Sequence, residues 1–234
     1  MNYMERYQNG EFESVWNELQ ALGAGVRQEP ALSLARQVAA ETMRRVRRDC
    51  ELLVSRLQSI KYTLGIYPDG SEGYYSEGPL VKPSKNLQKD LHYLQERFGR
   101  IPLSLEAFWQ EVGSVDLVGM GPSWPRELDP LVVNPPVGAL IDLEDMEEDN
   151  PEGPLQGGLA PDYLHKDNVS GGSPYAVGLP CDLTDFLLLN ERHELLFVPY
   201  LRFSILRWGG FPGLDGRELD FPPLKILTEG LIPF

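Results

Sequence analysis

Cysteine and histidine are scarce in this chain, and the common catalytic signatures are missing. The two cysteines, Cys50 and Cys181, are far apart and belong to no Cys-x-x-Cys pair. That spacing argues against a thiolate metal cluster and against a small scaffold held by disulfides. It fits a reduced, cytoplasmic protein. The chain contains no Gly-x-Gly-x-x-Gly, no Gly-Lys-Ser/Thr phosphate loop, no Gly-x-Ser-x-Gly and no His-Glu-x-x-His. Dinucleotide enzymes, P-loop enzymes, serine hydrolases of the elbow type and zincins therefore lose their local signals. No apolar run approaches the roughly 20 residues that span a bilayer, and the first 12 residues lack the apolar stretch of a signal peptide.

Basic charge is the other scarcity, and it is unevenly distributed. Residues 1–100 hold 14 Lys/Arg and 13 Asp/Glu, whereas residues 101–234 hold 7 Lys/Arg and 22 Asp/Glu. The whole net charge of −14 thus belongs to the second part of the chain. Such a field repels nucleic acid and anionic membranes, and it attracts a basic protein. With 42% hydrophobic residues in 234, the chain can bury a core without metals or disulfides.

What is present begins with a long amphipathic helix. Ala39, Met43, Val46, Cys50, Leu53, Leu57 and Ile60 recur at spacings of 4 and 3, which predicts one helix over about 31–60. Pro30 suits its start. Its other face carries Arg44, Arg45, Arg47 and Arg48, expected to be solvated or paired with the protein's own acidic half, residues 101–234. A shorter helix is expected over 14–22. Gly and Pro are dense in 64–84, which marks a linker between an N-terminal helical segment (1–63) and an α+β domain (85–234). Leu87, Leu91, Leu94 and Phe98 predict a second amphipathic helix, and Leu105, Phe108, Trp109 and Val112 a third. Short apolar runs come after it at 115–118, 131–133, 175–179 and 185–189. The run 194–198 reads as the return strand of a hairpin turning at 190–193, and 200–208 as a last helix. The expectation is a mostly antiparallel sheet with helices packed on one face.

Two stretches could hold function. Asp142, Glu144, Asp145, Glu147, Glu148 and Asp149 form an acidic run. It lacks the glycine and spacing of a calcium loop, so it reads as a solvated acidic loop open to a basic partner. Trp124, in Gly-Pro-Ser-Trp-Pro, is either an interface anchor beside that run or a plug for its own loop. The second stretch is 160–175, where Asp162, His165 and Asp167 could ligate a metal and Ser170 could lie beside His165. Gly171 and Gly172 there could admit a close ligand. Turn geometry alone also accounts for this composition.

The segment Ile101-Pro-Leu-Ser-Leu-Glu-Ala-Phe-Trp-Gln-Glu-Val-Gly113, which comes after a helix and leads into a strand, resembles the SUKH superfamily. Ile101-Pro102 stands for the family's Leu-Pro, and Gly113 for its turn glycine, although Val112 replaces the usual asparagine. The apolar runs at 186–189 and 196–200 and the helix 200–208 extend the resemblance over about 86–210. It implies a binding protein without catalytic residues or cofactor, of the kind that neutralises a basic toxin by direct contact. Two other readings stay open. One is a hydrolase or metal-dependent enzyme centred on Asp162, His165 and Asp167. The other is a regulatory module dimerising through helix 31–60, against the monomer or weak dimer expected of the leading reading.

Overall fold

The computed structural model describes residues 2–72, 78–149, 155–217 and 220–234, except for the side chains of 145–149. The chain is mixed helix and sheet. Three N-terminal helices lead: α1 (Tyr3–Gln8), α2 (Phe12–Ala21) and α3 (Ala31–Ser59). Asn2 caps α1 in a reciprocal capping box with Glu5. α3 buries the predicted stripe, with Ala39, Met43, Val46, Cys50, Leu53 and Leu57 all at 0% exposure. That stripe packs on α1 and on α5 (Leu103–Glu111), so it offers no open seam to a second copy.

β1 (Thr63–Leu64) and β2 (Leu80–Val81) flank the glycine-rich stretch expected to be a linker. Both are tied to strands later in the chain. β1 pairs with β4 (Gly119–Met120), and β2 with β3 (Ser114–Asp116), which also pairs with β5 (Val132–Val133). β6 (Leu155–Ala160) and β7 (Tyr175–Leu179) form the third sheet. Every described strand pairing is antiparallel, as the sequence suggests, but the strands are distributed over three small sheets. The buried apolar cluster runs from Tyr7 through α3 to Phe234 and draws on both 1–63 and 85–234. The segment 1–63 therefore shares its core with the α+β part.

α4 (Leu87–Phe98) and α5 match their periodicities closely. Gly113 then turns the chain at φ +91°, where a Cβ would lie 2.2 Å from the Val81 carbonyl oxygen. Both the left-handed backbone and the close strand demand glycine there.

Two expectations are corrected. The acidic run is helical: α6 spans Pro136–Asp149. Pro136 suits a first helical turn, and Ala139 and Leu143, four apart and 1% and 0% exposed, seat the helix against β6. The predicted return strand 194–198 amounts to a single bridge, Leu187 to Leu196. Helix α7 starts directly after it, at Phe197–Arg202. Buried Asp185 accepts the Val198 amide at 3.0 Å and so caps α7 from 13 residues away. The helix widens into a π turn at Phe203–Arg207 and stops at Gly209 and Gly210, both with positive φ. α8 (Pro223–Thr228) precedes a C-terminal arm that lies along α3.

Candidate functional site

The Trp124 loop and the stretch around His165 come together in the structure. The loop 121–130 and the loop 162–168 meet around a cavity of about 190 Å3, lined by Tyr62, Gly121, Trp124, Lys166 and Asp167 among others. Trp124 is half-buried. Its ring centroid lies 4.4 Å from that of Tyr62, and it meets Phe211 and Phe221 edge-on at 5.2 and 4.9 Å. Of its two possible roles, this packing is that of a plug for its own loop.

Asp162, His165 and Asp167 do not converge on one point. Asp162 turns inward, hydrogen-bonded to His165 Nδ1, while its Oδ1 accepts the Leu164 amide at 2.9 Å. Burial opposes its charge, but these hydrogen bonds win and hold the carboxyl below the usual range. Asp167 instead accepts the Glu127 amide across the cavity, and burial raises its carboxyl. Among the described residues, no group of three or more His, Cys, Asp or Glu could hold a metal ion. Gly171 does admit a close neighbour, but the neighbour is Asp162, whose Oδ1 sits 2.2 Å from where a Cβ would be. The loop is thus bound to itself by an Asx turn.

Beneath this loop lies a group that sequence reasoning missed. Lys166 Nζ is 2.6 Å from Asp129 Oδ1, with both side chains 0% exposed. Tyr175 donates its hydroxyl to Asp129 Oδ2 at 3.0 Å, and its ring lies 4.5 Å under the Lys166 ammonium. Burial, then the charge of Asp129, raises the Tyr175 hydroxyl far above its ordinary range. It remains a donor at any ordinary pH. The three residues come from separate parts of the chain, and nothing near Lys166 in the sequence distinguishes it from a solvated lysine. Around them Ser123, Glu127, Asp129 and Asn168 all have φ between +52° and +61°. The loops are held in a conformation that non-glycine residues rarely adopt.

The acidic run presents a different surface. On α6, Val137 and Ile141, one turn apart, are 53% and 54% exposed. Glu144 continues the same helical face at the next turn. Arg97 Nη1 on α4 reaches Glu144 Oε1 at 2.7 Å, and the Tyr93 hydroxyl donates to it at 3.1 Å. Tyr93 is itself 42% exposed. Asp145, Glu147, Glu148 and Asp149 extend the helix, and their side chains lie outside the described residues. Three of the four α3 arginines pair mainly within their own helix, Arg44 and Arg45 with Glu41 and Arg47 with Glu51, and Arg44 also reaches Glu111 of the acidic half at 3.8 Å.

No helix among the described residues is long and apolar enough to cross a membrane. No family model, curated protein or solved structure matches the chain.

Proposed function

We propose that the protein binds a basic protein partner through the outward face of α6, as a toxin-neutralising immunity protein of the SUKH kind would. The observation behind this reading is the exposed pair Val137 and Ile141 on the helix that bears the acidic run. Exposed aliphatic side chains one turn apart provide desolvation energy, and the surrounding carboxylates provide orientation and a fast encounter. The excess of 22 Asp/Glu over 7 Lys/Arg in residues 101–234 supports the same partner chemistry. The two unpaired thiols, Cys50 and Cys181, suit the cytoplasm as the place where it acts.

The test is binding to the product of the neighbouring gene, measured by calorimetry at two salt concentrations. Val137→Asp combined with Ile141→Asp is expected to weaken binding by at least about 100-fold, which corresponds to about 2.7 kcal/mol. Charge reversal at Glu147 and Glu148 is expected to slow association and to remove its salt dependence. An affinity unchanged by both pairs would sink the interface.

A further inference from the structure

Lys166 and Asp129 meet where solvent does not reach. Lys166 belongs to a short 3-10 turn at His165–Asp167, and Asp129 to the loop 121–130, 37 residues earlier. Nζ lies 2.6 Å from Oδ1, and both side chains are 0% exposed. An ammonium carries three donors. Among the described residues this one makes a single hydrogen bond, to Asp129, and it faces the Tyr175 ring at 4.5 Å. As two ions the pair is poorly completed, because the cation has one acceptor and no solvent. Tyr175 donates its hydroxyl to the other carboxylate oxygen, Oδ2, at 3.0 Å. An amine nitrogen, a carboxyl carbon and a proton donor are thus gathered out of water, at a site distinct from the outward face of α6.

We infer that the two side chains condense into an amide between Lys166 Nζ and Asp129 Cγ, an intramolecular isopeptide bond, with Tyr175 as the acid that helps water to leave. The ion pair is the reactant. One proton passes from the ammonium to Oδ2, which removes both buried charges at once. The amine lone pair then forms the N–C bond at Cγ, and the carbonyl electron pair moves onto Oδ1. When that pair returns, the Cγ–Oδ2 bond breaks and Oδ2 departs as water. Tyr175 gives Oδ2 its second proton and is restored by the one that the nitrogen sheds. In sum, one ammonium and one carboxylate become one amide and one water, with no co-reactant. Two features favour the product. Enforced contact stands for an effective concentration of about 10⁵ M or more. Hydrolysis needs a water at Cγ, and neither side chain is open to solvent. The bond ties the loop 121–130 to the loop 162–168, two walls of the cavity beside Trp124.

Intact-mass spectrometry of the full chain in denaturant reads the bond directly. The expected mass is one water below that of the sequence, for most of the protein. Aspartates in Asp-Gly pairs, here Asp69-Gly70 and Asp215-Gly216, also lose water as succinimides. A digest with tandem spectrometry therefore locates the loss. The expected product is a branched peptide joining the segment around Asp129 to the segment around Lys166, stable to hydroxylamine, which opens succinimides. Lys166→Met is expected to show its full sequence mass. Tyr175→Phe should form the bond at least about 100-fold more slowly, with the joined fraction followed from the end of cell-free synthesis. Should either variant fail to fold, the digest of the native chain decides alone. A native chain that keeps its full mass after prolonged incubation, or a water loss that maps to Asp69 or Asp215, would overturn the bond. An unchanged rate in Tyr175→Phe would overturn the role of its hydroxyl.

Discussion

Lys166 Nζ sits 2.6 Å from Asp129 Oδ1 with neither side chain reaching solvent, and the Tyr175 hydroxyl occupies the second oxygen of the same carboxylate. A buried pair of this kind contributes little net stability when complete, because desolvating two ions offsets their attraction. Breaking it is a different matter. Lys166→Ala would leave a buried carboxylate with one neutral donor, and the expected loss is about 3–5 kcal/mol. Lys166→Ala with Asp129→Leu removes both charges and should recover part of that loss. Urea denaturation of the two variants measures the difference. If the single variant is no less stable than the double one, the buried pair is not an ion pair.

A second prediction concerns pH. Burial pushes the Asp185 carboxyl up to about 6, against the hydrogen bonds from Ser104 and the Val198 amide that favour its charge. Below the ordinary value of 3.8 both folded and unfolded states carry the proton, and Asp185 contributes no pH dependence. Between about 4 and 6 the folded state keeps a proton that the unfolded state has released. Stability attributable to Asp185 therefore falls as pH rises through that window, by at most about 1.4 kcal/mol for each pH unit crossed. Asp49 and Asp116 are raised to about 6 for the same reason and act in the same direction. Asp185→Asn should remove one share of this slope, whatever it does to stability at a single pH. Melts of both proteins at half-unit pH steps between about 4 and 7 give the difference. A constant difference across the window would mean that Asp185 titrates like an exposed carboxylate.

The helices were legible in the sequence because their burial is periodic and local. α3, α4 and α5 lie where spacings of 3 and 4 put them. The acidic helix was hidden by its own composition. Among its described residues the buried apolar positions Ala139 and Leu143 fix its inner face, and the carboxylates after them look like a loop to any count of polar residues. The start of α7 was illegible for another reason. Its cap, Asp185, lies 13 residues before the amide it accepts, and no local signal joins the two. The same holds for the Lys166–Asp129–Tyr175 group. Each depends on contacts between distant residues, which spacing cannot report. Trp124 was visible as unusual, but its three aromatic neighbours are Tyr62, Phe211 and Phe221, far from it in the chain.

Glycine gives a paired prediction. Gly113 combines φ +91° with a Val81 carbonyl oxygen 2.2 Å from a would-be Cβ, so alanine there strains the backbone and pushes β2 away. Gly25 has nothing within 4 Å of its would-be Cβ and carries no positive φ. Gly113→Ala is expected to cost more than about 2 kcal/mol, a left-handed penalty with a steric clash added. Gly25→Ala should be neutral or stabilise by up to about 1 kcal/mol, through the unfolded chain. Thermal melts of the two single variants decide it. A Gly113 variant as stable as the Gly25 variant would show that the turn between α5 and β3 can relax.

The arm after α8 supplies the last prediction. Asp49, buried on α3, accepts the Ile232 amide with both oxygens at 3.1 Å. Arg45 donates to the Pro233 carbonyl at 2.9 Å, and Arg202 donates to the Phe234 carbonyl. Phe234 is 1% exposed and fills the end of the core. The backbone contacts and the aromatic anchor fail differently. Phe234→Ala opens a cavity and should cost about 3–5 kcal/mol in global stability. Asp49→Ala removes the acceptor for one amide and also a carboxyl that burial disfavours, so its global cost should be small. Its effect should be local, as faster hydrogen exchange at the Ile232 amide while amides in the middle of α3 keep their protection. Exchange that rises uniformly in the Asp49 variant would mean that the arm and α3 unfold together, with Phe234 alone insufficient to hold the arm down.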